Sequence, residues 1–308
     1  MPDPTAVRDL ILPAFFGDAL ALGPHWIYDA EEIARLYPQG VTTYDAPRSA
    51  YHSGKLAGDF THYGDQTLVL LESVSKRGKF DRGGWKEDWL AFWNGSPNSY
   101  RDGATRRTLE NFAAGLEVPS DSHDLGGASR IAALFALDFE TDEAALLAAA
   151  AQTRLTHGDP QVIGAAEFFM IATRRVRAGA SFREAFREGA GLSSSPPDLE
   201  SALSTDDWST ERLEEFGLGC DVKSAAPLTI ALALEFEHQS FEGLEVNARL
   251  GGDSAARGLL LGLLLGAKRG LSIFPQEWQS ELRAGAKIEG ILARTFLHPT
   301  AHATERWL

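Results

Sequence analysis

The chain is poor in sulfur. Its 308 residues include one cysteine, Cys220, and two methionines. A lone cysteine excludes an intrachain disulfide, and with it the small stapled folds of secreted proteins. No catalytic thiol signature surrounds Cys220, so a small buried hydrophobe is expected there. Long apolar runs are also missing. The longest, 258–267, is far short of the ~20 residues that span a bilayer. The opening MPDPTAVRDLILPAFF begins acidic, without a basic n-region or a cleavage site, and does not read as a signal peptide. A soluble protein of the cytoplasm is the expectation. Basic charge is scarce: 29 Lys and Arg stand against 43 Asp and Glu, a net charge of −14. Such a surface repels phosphate backbones and anionic lipids over a Debye length, so neither general nucleic-acid binding nor membrane binding is expected. A small anionic ligand stays open, because a local pocket can oppose the global field.

Strand patterning is nearly absent. Only Val41 to Tyr44 leans towards β, and no second run matches it. Hydrophobic residues at 44% and charged residues at 23% are globular proportions. Apolar residues recur three and four apart in stretches rich in Ala, Leu, Glu and Arg. They predict helices over 3–22, 30–37, 65–78, 83–94, 102–115, 127–138, 142–155 and 159–178. Further helices are predicted over 181–190, 198–206, 210–216, 223–239, 241–249, 253–268, 275–284 and 286–297. With no repeat and no long linker, residues 1–308 read as one compact all-α domain. Gly258, Gly262 and Gly266 fall on one face of the helix over 253–268. Each costs ~1 kcal/mol against Ala, so a second backbone is expected to pack closely there. Trp85, Trp89 and Trp93 at helical spacing are read as core.

Four polar segments stand out. Gly17-Asp18-Ala19-Leu20 closes the first helix, and His25 follows the Gly23-Pro24 break. Asp18 either faces a pocket or serves as a structural acid. His25 either moves protons or is a satisfied loop histidine. In Gly58-Asp59-Phe60-Thr61-His62-Tyr63-Gly64-Asp65-Gln66-Thr67, hard oxygen donors crowd before an apolar helix. They suit Mg²⁺ or Ca²⁺, although Asp65 also suits an N-cap. Arg249-Leu250-Gly251-Gly252-Asp253-Ser254 opens the Gly-striped helix. Asp253 suits the cap of that helix. Gly251, Gly252 and Ser254 at the helix start, with Arg257 one turn on, could hold an anion. Thr156-His157-Gly158-Asp159-Pro160 is an interhelical corner whose histidine is either a hydrogen-bonded strut or a proton carrier. His298 and His302, four apart, are separated by Pro299 and do not read as a helical metal pair. P-loop, G-x-S-x-G, Rossmann and zinc-spacing motifs are all lacking.

These four segments, in this order, resemble the ADP-ribosylglycohydrolase family from Ala14 to Gly270. Gly126-Gly127-Ala128-Ser129-Arg130 and the lead from Phe241 to Asp253 fit as well. The resemblance implies an orthogonal all-α domain, a cleft for ADP-ribose and, typically, two Mg²⁺ ions. The departures fall on the metal ligands. Where the family usually has Tyr-Thr-Asp-Asp-Thr, this chain has Tyr63-Gly64-Asp65-Gln66-Thr67. Where the family has Gly-Gly-Asp-Thr-Asp-Thr, it has Gly251-Gly252-Asp253-Ser254-Ala255-Ala256. His25 stands near the place of a functional Glu, and His157 matches a Thr-His-x-x-Pro element. The resemblance implies Asp65, Asp253 and Thr67 as the metal ligands that remain; two carboxylates cannot balance two divalent ions, so at most one weak Mg²⁺ site is expected.

The same departures resemble the branch of jellyfish lens crystallins, which are structural proteins. Three functions follow as expectations. The first is a glycosidic hydrolase with a degenerate metal site, acting on ADP-ribosyl or related conjugates through Asp65, Asp253, His25 and His157. The second is a non-catalytic binder of ADP-ribose or a nucleotide, and the third is a crystallin-like structural protein. The partner expected is a small molecule or an ADP-ribosylated substrate; oligomeric state is not legible.

Overall fold

The structure, a computed structural model, describes residues 4–95, 97–204 and 208–297. His298 and His302 lie outside them. Within them the chain forms sixteen α-helices and no strand longer than an isolated bridge. The first half runs α1 (Pro4–Ala21), α2 (Ala30–Leu36), α3 (His62–Arg77), α4 (Arg82–Asn94), α5 (Gly103–Ala113), α6 (Gly126–Ser129), α7 (Asp142–Thr153) and α8 (Pro160–Arg177). The second runs α9 (Phe182–Leu192), α10 (Glu200–Leu203), α11 (Thr210–Glu214), α12 (Val222–Glu235), α13 (Ser240–Leu250), α14 (Ser254–Arg269), α15 (Gln276–Glu281) and α16 (Gly285–Leu297). The fold is all-α, as the periodicity predicts.

The helices start where side chains can take up free amides. Thr61 caps α3, Asp102 caps α5, Thr141 caps α7 and Asp159 caps α8 ahead of Pro160. Ser181 and Glu184 form a reciprocal capping box on α9. The span predicted as a helix over 127–138 splits into α6 and a 3₁₀ segment at Arg130–Ala136. Ser129 Oγ bonds back to the Gly126 carbonyl at 3.0 Å, competing with regular helix bonding there. Val41 to Tyr44 forms no strand: Tyr44 bonds the Trp278 carbonyl, and the Trp278 indole bonds that of Thr42.

The centre is the pair α1 and α14. Both are buried along most of their length, and they pack more extensively on each other than any other pair. The glycine stripe makes this possible. A Cβ at Gly262 would lie 2.0 Å from the Pro13 carbonyl oxygen, and one at Gly258 would lie 2.5 Å from that of Gly17. No side chain could separate these backbones. Around this seam the buried apolar residues form one cluster running from Val7 to Leu292, with Trp85, Trp89 and Trp93 fully enclosed. Helix ends and loops meet around one polar hollow: the turn after α1, the N-termini of α3, α5 and α14, and the loop before α6.

Candidate functional site

The hollow starts from a strained residue. Trp26 has φ 64°, the one non-glycine with positive φ among the described residues. That conformation is costly for a bulky side chain. Two backbone bonds hold it, Trp26 N–H to the Gly252 carbonyl at 2.8 Å and Gly252 N–H to that of Ile27 at 2.7 Å. Gly251 and Gly252 also have positive φ, and a Cβ on either would strike a carbonyl oxygen of Ile27 or Leu218. The result aims the Trp26 indole at Asp253, donating to Oδ2 at 3.1 Å. The Tyr63 hydroxyl donates to the same oxygen at 3.0 Å. Oδ1 of Asp253 is buried with no partner. Burial raises the Asp253 pKa against the Trp26 hydrogen bond. Asp253 makes no capping bond, so the N-cap reading gives way to a carboxylate presented to the hollow.

Beside it lie three buried histidines. His25 stacks on Trp26 with ring centroids 4.6 Å apart, and neither of its nitrogens has a partner. It is therefore not a satisfied loop histidine. His52 Nε2 and His62 Nδ1 face each other at 3.1 Å. His62 Nε2 looks towards Asp102 Oδ2 at 3.6 Å, an ion-pair contact too long for a hydrogen bond. Burial holds His25 well below its ordinary pKa and pushes His52 down to about 2. Burial also disfavours charge on His62, but the carboxylates around it, Asp102 first, raise its pKa overall. Tyr51 and Tyr100 close the wall, each packed edge-on against Trp26. A cavity of about 230 Å³ opens here, lined by Tyr51, His52, Lys55, Ser99, Tyr100 and Arg101.

The other expected site residues are placed as follows. Asp65 does not cap α3, because Thr61 does. Its Oδ2 is 2.6 Å from the Lys55 ammonium; burial raises its pKa, against that pairing. His157 has both nitrogens engaged, Nε2 with Asp124 at 3.0 Å and Nδ1 with Thr156 at 2.8 Å. Asp18 is fully buried and accepts from Thr61 N at 2.8 Å, Thr61 Oγ1 at 2.7 Å and Gly64 N at 3.0 Å. It thus pins the start of α3, and burial raises it to about 6. A Cβ at Gly64 would meet Asp18 Oδ2 at 2.5 Å, so a threonine there would displace Asp18.

At the start of α14 the free amides expected for an anion are partly taken. Gly251, Gly252 and Asp253 N–H groups bond the carbonyls of Ala248, Ile27 and Leu218. The Ser254 hydroxyl is buried without a partner. Arg257 is also buried, and its guanidinium donates to Asn247 Oδ1 and to the Leu218 and Gly251 carbonyls. Its fork braces the 216–221 loop and faces protein acceptors rather than an open anion site. Cys220 is exposed, correcting the expectation of a buried thiol. Even so, desolvation and nearby carboxylates push the thiol up to about 12, which makes it a poor nucleophile.

The donor set does not fit the dinuclear magnesium centre that the resemblance implies. Lys55 sits on Asp65, and Thr67 Oγ1 donates to the Tyr63 carbonyl at 2.8 Å. Gln66 is engaged by the Trp89 indole and the His62 carbonyl. Magnesium needs near-octahedral oxygen ligands, which these residues do not converge to supply. Among the described residues, one group of three ligating side chains comes together, and it consists of His25, His52 and His62.

Sequence reasoning gave no role to His52, His62, Lys55, Tyr63, Asp102 or Asp124. One signal was available: three of the chain's eight histidines fall between positions 25 and 62. Lys55 and Asp124 carried none, since an isolated lysine and an isolated loop aspartate look the same in any surface.

No helix among the described residues is long and apolar enough to cross a membrane. No curated protein matches the chain. Among solved structures, it is similar to an ADP-ribosylglycohydrolase-related protein complex, with a TM-score of 0.74 and 24% identity over 96% of this chain and 98% of the other. That likeness establishes the shared fold. Residues 4–305 match the ADP-ribosylglycohydrolase family, and the chain belongs to that family.

Proposed function

We propose that this protein hydrolyses a glycosidic bond to ribose, in ADP-ribosyl or related conjugates, with Asp253 as general base. The observation that carries the reading is the state of that carboxylate. It is buried, fixed through Oδ2 by Trp26 and Tyr63, and has Oδ1 without a partner. A polar atom left so in a folded interior costs about 1–3 kcal/mol, and a ligand hydroxyl or a water relieves it. Asp253 would take a proton from water as the water oxygen bonds to the anomeric carbon. The bond to the acceptor breaks, and the departing atom keeps the electron pair and takes up a proton. Tyr51 and Tyr100 line the adjoining cavity and can pack against a sugar or base, and Arg101 adds positive charge suited to phosphate. Magnesium would have at most a weak hold on the free oxygen of Asp253, and no step above depends on it.

The test is release of ADP-ribose from ADP-ribosylated arginine and serine peptides. Asp253→Asn keeps an acceptor for Trp26 and Tyr63 but loses the base, and should lower the rate by about 10²–10⁴-fold. A wild-type protein that releases nothing sinks this reading for that substrate class.

A second reading has its own support. The Lys55 ammonium on Asp65 and the alanines at 255 and 256 remove the family's usual ligands, as expected of a binder that retains the cleft without the chemistry. It predicts a thermal shift with ADP-ribose that is lost in Trp26→Ala, with no turnover.

A further inference from the structure

We propose that His25, His52 and His62 form a mononuclear site for a transition metal of the zinc class. The site goes beyond the proposed hydrolysis, since it would exist equally in an enzyme or in a binder.

Geometry carries the argument. One ligating nitrogen from each imidazole lies within 4.8 Å of the others. His52 Nε2 and His62 Nδ1 are 3.1 Å apart. Two nitrogens bound tetrahedrally to zinc at about 2.0–2.1 Å stand about 3.3–3.4 Å apart, so these two need move only slightly to share an ion. His25 supplies the third donor. It is wholly buried, stacked on the Trp26 ring with the His52 ring edge-on 5.3 Å away, and both its nitrogens lack partners. Ordinary folding leaves few buried nitrogens in that state, and two on one ring call for an explanation.

The surroundings match a metal site as well. A metal-bound histidine normally presents its second nitrogen to a carboxylate, which fixes the tautomer and strengthens the ligand. With His62 Nδ1 turned to His52, its Nε2 faces Asp102 Oδ2 at 3.6 Å. Asp102 is itself fixed, because Oδ1 accepts from Thr105 N at 2.8 Å as the cap of α5. Three imidazoles without a fourth protein ligand leave a position for water, the arrangement of open rather than closed zinc sites. Imidazole nitrogen selects Zn²⁺, Co²⁺, Ni²⁺ or Cu²⁺ over Mg²⁺ and Ca²⁺, which prefer oxygen. Asp65 is thus withdrawn from metal binding by Lys55 in the same cleft in which three nitrogens gather.

Full-length protein freed of metal by a chelator would be titrated with Co²⁺, following its visible absorption, and then with Zn²⁺ in competition. One Co²⁺ per chain should bind with a low-coordinate spectrum, and Zn²⁺ should displace it while excess Mg²⁺ should not. His25→Phe and His62→Phe should abolish the spectrum while circular dichroism shows the fold retained. Asp102→Asn, which keeps a good capping residue, should bind about 10–100-fold more weakly. Absence of Co²⁺ binding, undiminished binding in folded His25→Phe, or displacement by Mg²⁺ would each overturn the site. Its failure is separable from that of the proposed activity: hydrolysis by metal-free protein that binds no Co²⁺ refutes the site alone, and stoichiometric binding without turnover refutes the hydrolysis alone.

Discussion

The α1–α14 seam and the histidine cluster beside it are both buried and are built on opposite terms. At the seam, carbonyls and glycines meet at distances that admit no side chain. In the hollow, nitrogens of His25, His52 and His62 and an oxygen of Asp253 are buried without a hydrogen-bonding protein partner. The same helix serves both: α14 starts directly after Asp253 and continues through Gly258 and Gly262. Close packing at one end fixes the other, so a carboxylate can be held in place without a partner of its own. Stability resides in the seam, and the hollow keeps unsatisfied groups available for a ligand.

The largest effect should come from filling the seam. In Gly262→Val the added carbons must displace the Pro13 carbonyl, which a Cβ would approach to 2.0 Å. Neither helix can yield without opening the core, so a loss of about 3 kcal/mol or more is expected in urea unfolding. A loss below ~1 kcal/mol would mean that the seam adjusts like a surface, and the comparison would fail at its rigid end.

The seam was legible in sequence because its cause is local: three glycines four apart admit one explanation. The hollow was legible only in part. Gly-Gly-Asp and His25 pointed to it, but spacing cannot say whether a histidine nitrogen has a partner. The cap readings of Asp65 and Asp253 failed for a related reason. Each stands at a helix start, but Thr61 lies closer to the α3 amides, and the Trp26 turn draws Asp253 away. Lys55, ten residues from Asp65, is brought to it by the loop after the 3₁₀ turn at 50–52, a contact no periodicity encodes.

Asp18 joins the two regions. It follows Gly17 in the seam and pins the α3 start that carries His62 and Tyr63. Burial raises its pKa from 3.8 to about 6, against the bonds from Thr61. A group with a raised folded pKa favours the native state fully below its unfolded pKa, and that contribution is lost as pH rises through the folded one. Wild type should therefore lose about 1–3 kcal/mol relative to Asp18→Asn between about pH 4 and pH 7, read from urea midpoints across that range. A flat difference would mean that the amides of Thr61 and Gly64 offset burial in full, leaving Asp18 as settled as the seam beside it.

The smallest effect has an unusual sign. His25→Phe replaces a ring with two unpartnered buried nitrogens by one of similar shape and no polar atoms. Its stacking on Trp26 can persist, and the desolvation of the imidazole disappears. The substitution should stabilise the metal-free protein by about 1 kcal/mol while removing whatever the histidine binds. Thermal unfolding without ligand and then with Zn²⁺ separates the two effects: the variant should melt higher than wild type in the first case and show no further rise in the second. If it melts lower without metal, His25 is a packed structural group like those of the seam, and the contrast between the two regions is lost.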